Sequence, residues 1–163
     1  MTLPGDCQRE LADILSEEEL CLSRLKTSLE QEQTALEKRR GEALEEAVQH
    51  KRAALEETAR LHRRRSTLLK QYGFPDDEAG VLQCIERCNP SLSRELRPLW
   101  KRLHTLIEQC RDRNLVNGRI LELNRTALQQ TLAILTNGMQ PVELYSSQGF
   151  SSRQKDSTPI ATA

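Results

Sequence analysis

Leu96-Arg97-Pro98-Leu99-Trp100-Lys101-Arg102-Leu103-His104-Thr105-Leu106-Ile107-Glu108-Gln109-Cys110, continued by Arg111-Asp112-Arg113-Asn114-Leu115-Val116-Asn117-Gly118-Arg119-Ile120-Leu121, carries one unbroken pattern. Positions 96, 100, 103, 107, 110, 114, 117, 121, 124, 128, 131 and 135 alternate three and four apart, and most of them are apolar. That is the seam of an α-helix, and Leu99, Leu106, Ile120, Ala127 and Ile134 widen it. Because the register runs through Asn117-Gly118, this dipeptide is read as helical, although it more often marks a hairpin turn. A helix of about 45 residues, roughly 65 Å long, is predicted. Asn89 as N-cap with Pro90 in the first turn starts it, Asn137-Gly138 ends it, and Pro98 is expected to kink it.

Two more stripes lie upstream. Leu11, Leu15, Leu22, Leu25, Leu29 and Leu36 form a heptad pattern over about residues 6–38, interrupted by Glu18 and Glu32. Leu44, Ala47, Val48, Ala54, Leu55, Leu61, His62, Leu68, Leu69 and Tyr72 form another over about residues 42–72, out of phase with the first. The phase breaks at Lys38-Arg39-Arg40-Gly41, cations and a glycine that suit a helix C-terminus, so a tight helical hairpin is predicted. Pro75-Asp76-Asp77 can start a short connecting helix over Val81, Leu82 and Ile85. The fold expected is all-α: an elongated antiparallel bundle over residues 1–138, in which the hairpin packs on the long C-terminal helix. A flexible tail is expected over 139–163, rich in Ser, Thr and Gln.

The 163 residues are 37% hydrophobic but only 3% aromatic, which disfavours a bulky core enclosing a deep small-molecule pocket. The formal charge is zero, against the excess of Lys and Arg that a nucleic-acid binder normally carries. The zero is composite: residues 1–59 carry −6, 60–70 carry +5, 71–90 carry −3 and 91–125 carry +4. Such blocks favour acidic and basic helices lying against one another. No run is long and apolar enough for membrane insertion, and no secretory signal is readable at the amino terminus, so a cytoplasmic protein is expected.

Enzyme signatures are absent from the sequence, and no cofactor is expected. Cys84 and Cys88, four apart, could offer two thiolates to a metal with His104 or Cys110, but without CxxC pairs they read better as small buried side chains. His62, within an apolar stripe, reads as a core histidine. The sharper anomaly is Asn114, Asn117 and Asn124 at seam positions, where amides either lock the register of a bundle or line a groove with Gly118. Val142, Leu144, Tyr145 and Phe150 are large apolar or aromatic residues in a tail that no core can use.

At this point the residues resemble a known group. Leu36-Glu37-Lys38-Arg39-Arg40-Gly41-Glu42-Ala43-Leu44, then Lys51, then Arg64-Arg65-Ser66-Thr67-Leu68-Leu69-Lys70-Gln71-Tyr72-Gly73, resembles the hairpin of the FlgN-like flagellar export chaperones. Asn114-Leu115-Val116-Asn117-Gly118-Arg119-Ile120-Leu121-Glu122-Leu123-Asn124 resembles that family's Asn-x-x-Asn signature, and Tyr145 with Gly149 is similar to its tail. The family often has Gly-Asp where this chain has Gly41-Glu42. The resemblance implies a cytoplasmic type III export chaperone, monomeric when free. It would hold hook-associated proteins one and three and deliver them to the flagellar export gate. Client binding toward the C-terminal part would then involve Asn114, Asn117, Gly118, Leu121, Asn124, Leu128, Leu132, Val142 and Leu144, with Tyr145 as a docking residue for the gate. A structural coiled-coil or scaffold protein is the rival reading.

Overall fold

The computed structural model describes residues 1–139, except the side chain of Met139. The chain divides into two compact units, residues 1–120 and 121–163. The described residues form four helices, α1 (Gly5–Glu37), α2 (Gly41–Gln71), α3 (Glu78–Glu86) and α4 (Pro90–Met139), and no strand. The all-α fold expected from the three stripes is therefore the fold observed. Gly118 lies inside α4, as its register required, and α4 continues on both sides of Pro98.

In the first unit, α1 and α2 form the hairpin, and the first stretch of α4 runs parallel to α1. The directions follow from cross-helix pairs: Arg102 with Glu19, then Arg113 with Glu30 further along both helices. The α1 stripe is the spine of the core: Leu11, Ile14, Leu15, Leu22, Leu25 and Leu29 are buried with Leu68 and Leu69 of α2 and Leu96, Leu99, Trp100 and Leu103 of α4. Cutting any of these leucines back to Ala would cost about 2–5 kcal/mol, because transfer energy is lost and a cavity is left.

The hairpin turn differs from the expected one in a single respect. Arg39, and not Gly41, takes the left-handed conformation, at φ 52°. The Arg40 N–H donates to the Ala35 carbonyl and the Arg39 N–H to the Leu36 carbonyl, so α1 ends in a Schellman motif with Arg39 where glycine is usual. Gly41 is the first residue of α2. Since a side chain pays a steric cost at positive φ, Arg39→Gly is expected to stabilise the fold by about 0.5–1 kcal/mol. A lowered unfolding midpoint in thermal circular dichroism would contradict this.

The second corner is more tightly specified. Gly73, at φ 76°, ends α2 in the same motif, and Phe74 after it is buried in the core with the Arg87 guanidinium 5.3 Å from its ring centroid. Asp77 caps α3 by accepting a hydrogen bond from the Gly80 N–H at 2.8 Å. A Cβ on Gly80 would lie 1.8 Å from the Pro75 carbonyl oxygen, so no other residue fits there without moving backbone. Asn89 caps α4 as expected, its Oδ1 accepting from the Leu92 N–H at 2.9 Å. Its Nδ2 and its backbone N–H both donate to Gln8 Oε1, which fastens the start of α1 to the start of α4.

Candidate protein-docking surfaces

The two acids that interrupt the α1 stripe are buried, at 4% exposed for Glu18 and 7% for Glu32. Each is paired with a cation of α2, and each pair meets a side chain of α4. Glu32 Oε1 accepts from Lys51 Nζ at 2.7 Å, and its Oε2 accepts from Asn117 Nδ2 at 2.8 Å. Asn117 Nδ2 also donates to the Leu29 carbonyl at 2.9 Å. Two heptads earlier on α1, Glu18 accepts from Arg65, whose guanidinium lies over the Trp100 ring at 5.1 Å. These two nodes fix the register of all three helices, since a slip of any one would bury an unpaired charge.

Burial pushes the Glu18 carboxyl above its ordinary range, and this outweighs the opposing pull of Arg65. A raised native pKa means that the folded state holds the proton more readily than the unfolded chain. The stability Glu18 contributes is thus fully present below about pH 4.5 and is lost as pH rises through the higher native value. Glu18→Gln, which cannot ionise, should therefore gain on the wild type as pH is raised from 4 to 7, by denaturant unfolding. A gap that narrows over that range would contradict the burial argument.

The seam asparagines have separate fates. Asn117 is 3% exposed with its amide committed to α1, the arrangement of a register lock. Asn114, one turn earlier, is exposed and lines a surface trough, and Gly118 is exposed with nothing within 4 Å of a Cβ built on it. Asn124 is half-buried within the second unit. Val142, Leu144 and Tyr145 lie outside the described residues.

The second unit, by itself, presents an unusual helical surface. Leu121, Leu123, Leu128, Leu132, Ile134 and Leu135 are each between 54% and 71% exposed. Over residues 121–138 the only charged side chains are Glu122 and Arg125. Leu121, Leu128, Leu132 and Leu135 recur at seven, four and three residues, so they share one face of the helix. A helix this apolar and this exposed calls for a partner.

Other candidates dissolve into structure. His62 is exposed, contrary to the core placement expected, and its Nδ1 lies 3.1 Å from Arg65. Burial pushes the Cys84 thiol up to about 12 and Cys88 to about 11, which keeps both protonated and poor as metal ligands. Among the described residues no three of His, Cys, Asp and Glu are grouped to hold a metal ion. Arg60 and Arg64 pair with Glu10, Glu17 and Glu57, so the basic block is largely neutralised by acids of the hairpin, as the charge pattern suggested. No described helix is long and apolar enough to cross a membrane.

Sequence reasoning overlooked the pairing of the two polar nodes and the burial of Phe74. The first had a visible signal: Glu18 and Glu32 are spaced two heptads apart, and so are Lys51 and Arg65. Phe74 had none, because a residue in a turn gains its burial only from distant helices.

Against known proteins, no curated protein matches the chain. Among solved structures, a crystal structure from Pseudomonas aeruginosa assigned as a flagella synthesis protein FlgN is similar, with a TM-score of 0.62 and 27% identity. The match covers 71% of this chain and 89% of that one. The model of the FlgN protein family matches residues 7–153, taking in the hairpin, both polar nodes and the exposed leucine face. A match over so much of the sequence, together with the shared fold, links the protein to the flagellum: the chain belongs to the FlgN family.

Proposed function

We propose that this protein is a cytoplasmic export chaperone that binds hook-associated proteins one and three, prevents their premature association and delivers them to the flagellar type III export apparatus. The observation that carries the reading is the exposed face made by Leu121, Leu128, Leu132 and Leu135, in a stretch with only two charged side chains. A client awaiting export presents amphipathic terminal helices that would otherwise self-associate. Laying such a helix on Leu121, Leu128 and Leu132 hides both apolar stripes at once. Val142 and Leu144 of the tail extend the contact, and Tyr145 docks on the export gate. The family supports a flagellar role, and the resemblance of the tail supports the assignment of Tyr145.

Titration of the purified chain with each hook-associated protein in a calorimeter tests this directly, with saturable binding expected and the absence of heat for both proteins fatal to the reading. Tyr145→Ala is expected to leave that affinity unchanged and reduce export in cells; equal loss of both would place Tyr145 on the client instead. A scaffold protein would use the same leucines for self-association. Sedimentation equilibrium would then show an obligate oligomer that the client does not dissociate.

A further inference from the structure

The first unit holds a second apolar surface that the leucine face of residues 121–135 does not include. Between α2 and α4, with α1 as its floor, runs a trough of about 350 Å³. Leu22, Leu25 and Leu29 form the floor, while Leu55 and Ile107 form opposite walls and remain 49% and 37% exposed. The two polar nodes bound it, Glu18–Arg65–Trp100 at one end and Glu32–Lys51–Asn117 at the other, where Lys51 itself joins the lining. Their separation along α1 is about 21 Å, room for roughly four turns of a docked helix.

The charged side chains that line this trough have one sign, although Glu56 and Glu108 stand beside its wall residues Leu55 and Ile107. Its lining contains Lys51 and Arg111 and no carboxylate. Lys51 is held by Glu32, but Arg111 forms no ion pair among the described residues, and neither does Arg52, which lies one turn from Leu55 on α2. By contrast, Arg60, Arg64 and Arg65 further along α2 are paired with carboxylates of the hairpin. On the α4 side, Leu115 is exposed and Gly118 leaves open space, although a glycine inside a helix costs about 1 kcal/mol relative to alanine.

We infer that this trough is a docking site for an acidic amphipathic helix of the exported client, with the helix's apolar stripe on Leu55, Leu25 and Ile107 and its carboxylates on Arg52 and Arg111. The assignment of the occupant to the client rests on the proposed chaperone role; the trough and its charge do not. It adds a salt-sensitive contact to the apolar one at residues 121–135.

The test is calorimetric binding of hook-associated proteins one and three to the full chain and to Arg52→Glu/Arg111→Glu, at 50 and 300 mM NaCl. Both positions are exposed, so the fold should persist, checked by an unchanged circular dichroism midpoint, and Arg63→Glu serves as a control on an exposed cation away from the trough. The wild type is expected to bind more weakly at high salt. The double variant should bind at least about tenfold more weakly at low salt and lose most of the salt dependence, while the control does neither. Wild-type affinity and salt dependence in the double variant would overturn the inference and leave the chaperone reading standing. Failure of both proteins to bind the wild type would overturn the chaperone reading and this inference with it.

Discussion

The double substitution Leu128→Asp, Leu132→Asp is expected to weaken binding of the hook-associated proteins by at least about a hundredfold while the bundle keeps its unfolding midpoint. The magnitude follows from burial. A leucine moved from water into a helix–helix contact contributes about 1.5–3 kcal/mol, and two of them exceed the roughly 2.7 kcal/mol that a hundredfold change represents. Each aspartate adds the cost of desolvating a carboxylate against the client's apolar stripe. The fold should not notice, because Leu128 is 61% exposed and Leu132 54% exposed in the free protein. Calorimetry with each client checks the first half and thermal circular dichroism the second. Undiminished affinity in a folded double variant would show that residues 121–135 do not hold the client.

Among the polar positions, the largest effect on stability is expected at Glu32. Glu32→Ala leaves Lys51 without its counter-ion and takes one acceptor from Asn117 Nδ2, in a place from which water is largely excluded. Breaking a buried pair from one side costs about 3–5 kcal/mol, and the lower end applies because the Lys51 side chain keeps 21% exposure and can still reach solvent. At about 2–4 °C per kcal/mol for a chain of this size, the midpoint should fall by roughly 6–12 °C. Asn117→Ala should cost less, about 1–3 kcal/mol, and the two losses should not add, since they share one network. Asn114→Leu, at an exposed position of the same stripe, should change stability by no more than about 0.5 kcal/mol. Denaturant unfolding of the wild type, the three single variants and the Glu32→Ala/Asn117→Ala double variant decides the matter, and a Glu32→Ala midpoint equal to the wild type would remove the node from any role in the register.

These two outcomes separate what the three seam asparagines had suggested together. From spacing alone Asn114 and Asn117 are alike, since both fall where α4 should present an apolar side chain. What distinguishes them is the partner helix. At Asn117 the α1 spine offers a carboxylate and the Leu29 carbonyl, so both Nδ2 donors are satisfied, while the buried Oδ1 finds no partner among the described residues. At Asn114 α2 stands away, the trough opens, and the amide faces solvent. Periodicity reports which face of a helix meets something and says nothing of how closely.

The local architecture was legible because its causes are local. Stripes at three and four residues, the Asn89 cap, the Asp77 start and the Gly73 stop each act within a turn or two of chain, and each helix begins and ends within about two residues of where those signals put it. The charge blocks were legible for a related reason, since opposed blocks on long helices must neutralise one another wherever the helices pack. The left-handed residue of the hairpin was not: Gly41 was the natural candidate, and the helix reached one turn's geometry two residues earlier, at Arg39.

By itself, then, the sequence determined that this protein is a set of long amphipathic helices with an apolar stripe on each, because side-chain period and capping chemistry depend only on neighbours along the chain. Only the tertiary structure decided which part of each stripe becomes core, because burial depends on what stands opposite. It turned Glu18 and Glu32 from interruptions into the two nodes that set the register, buried Phe74 from a turn, and left a trough lined by Lys51 and Arg111 between α2 and α4. Within residues 121–138 it left the leucines in water, where a continuing stripe had promised only more helix.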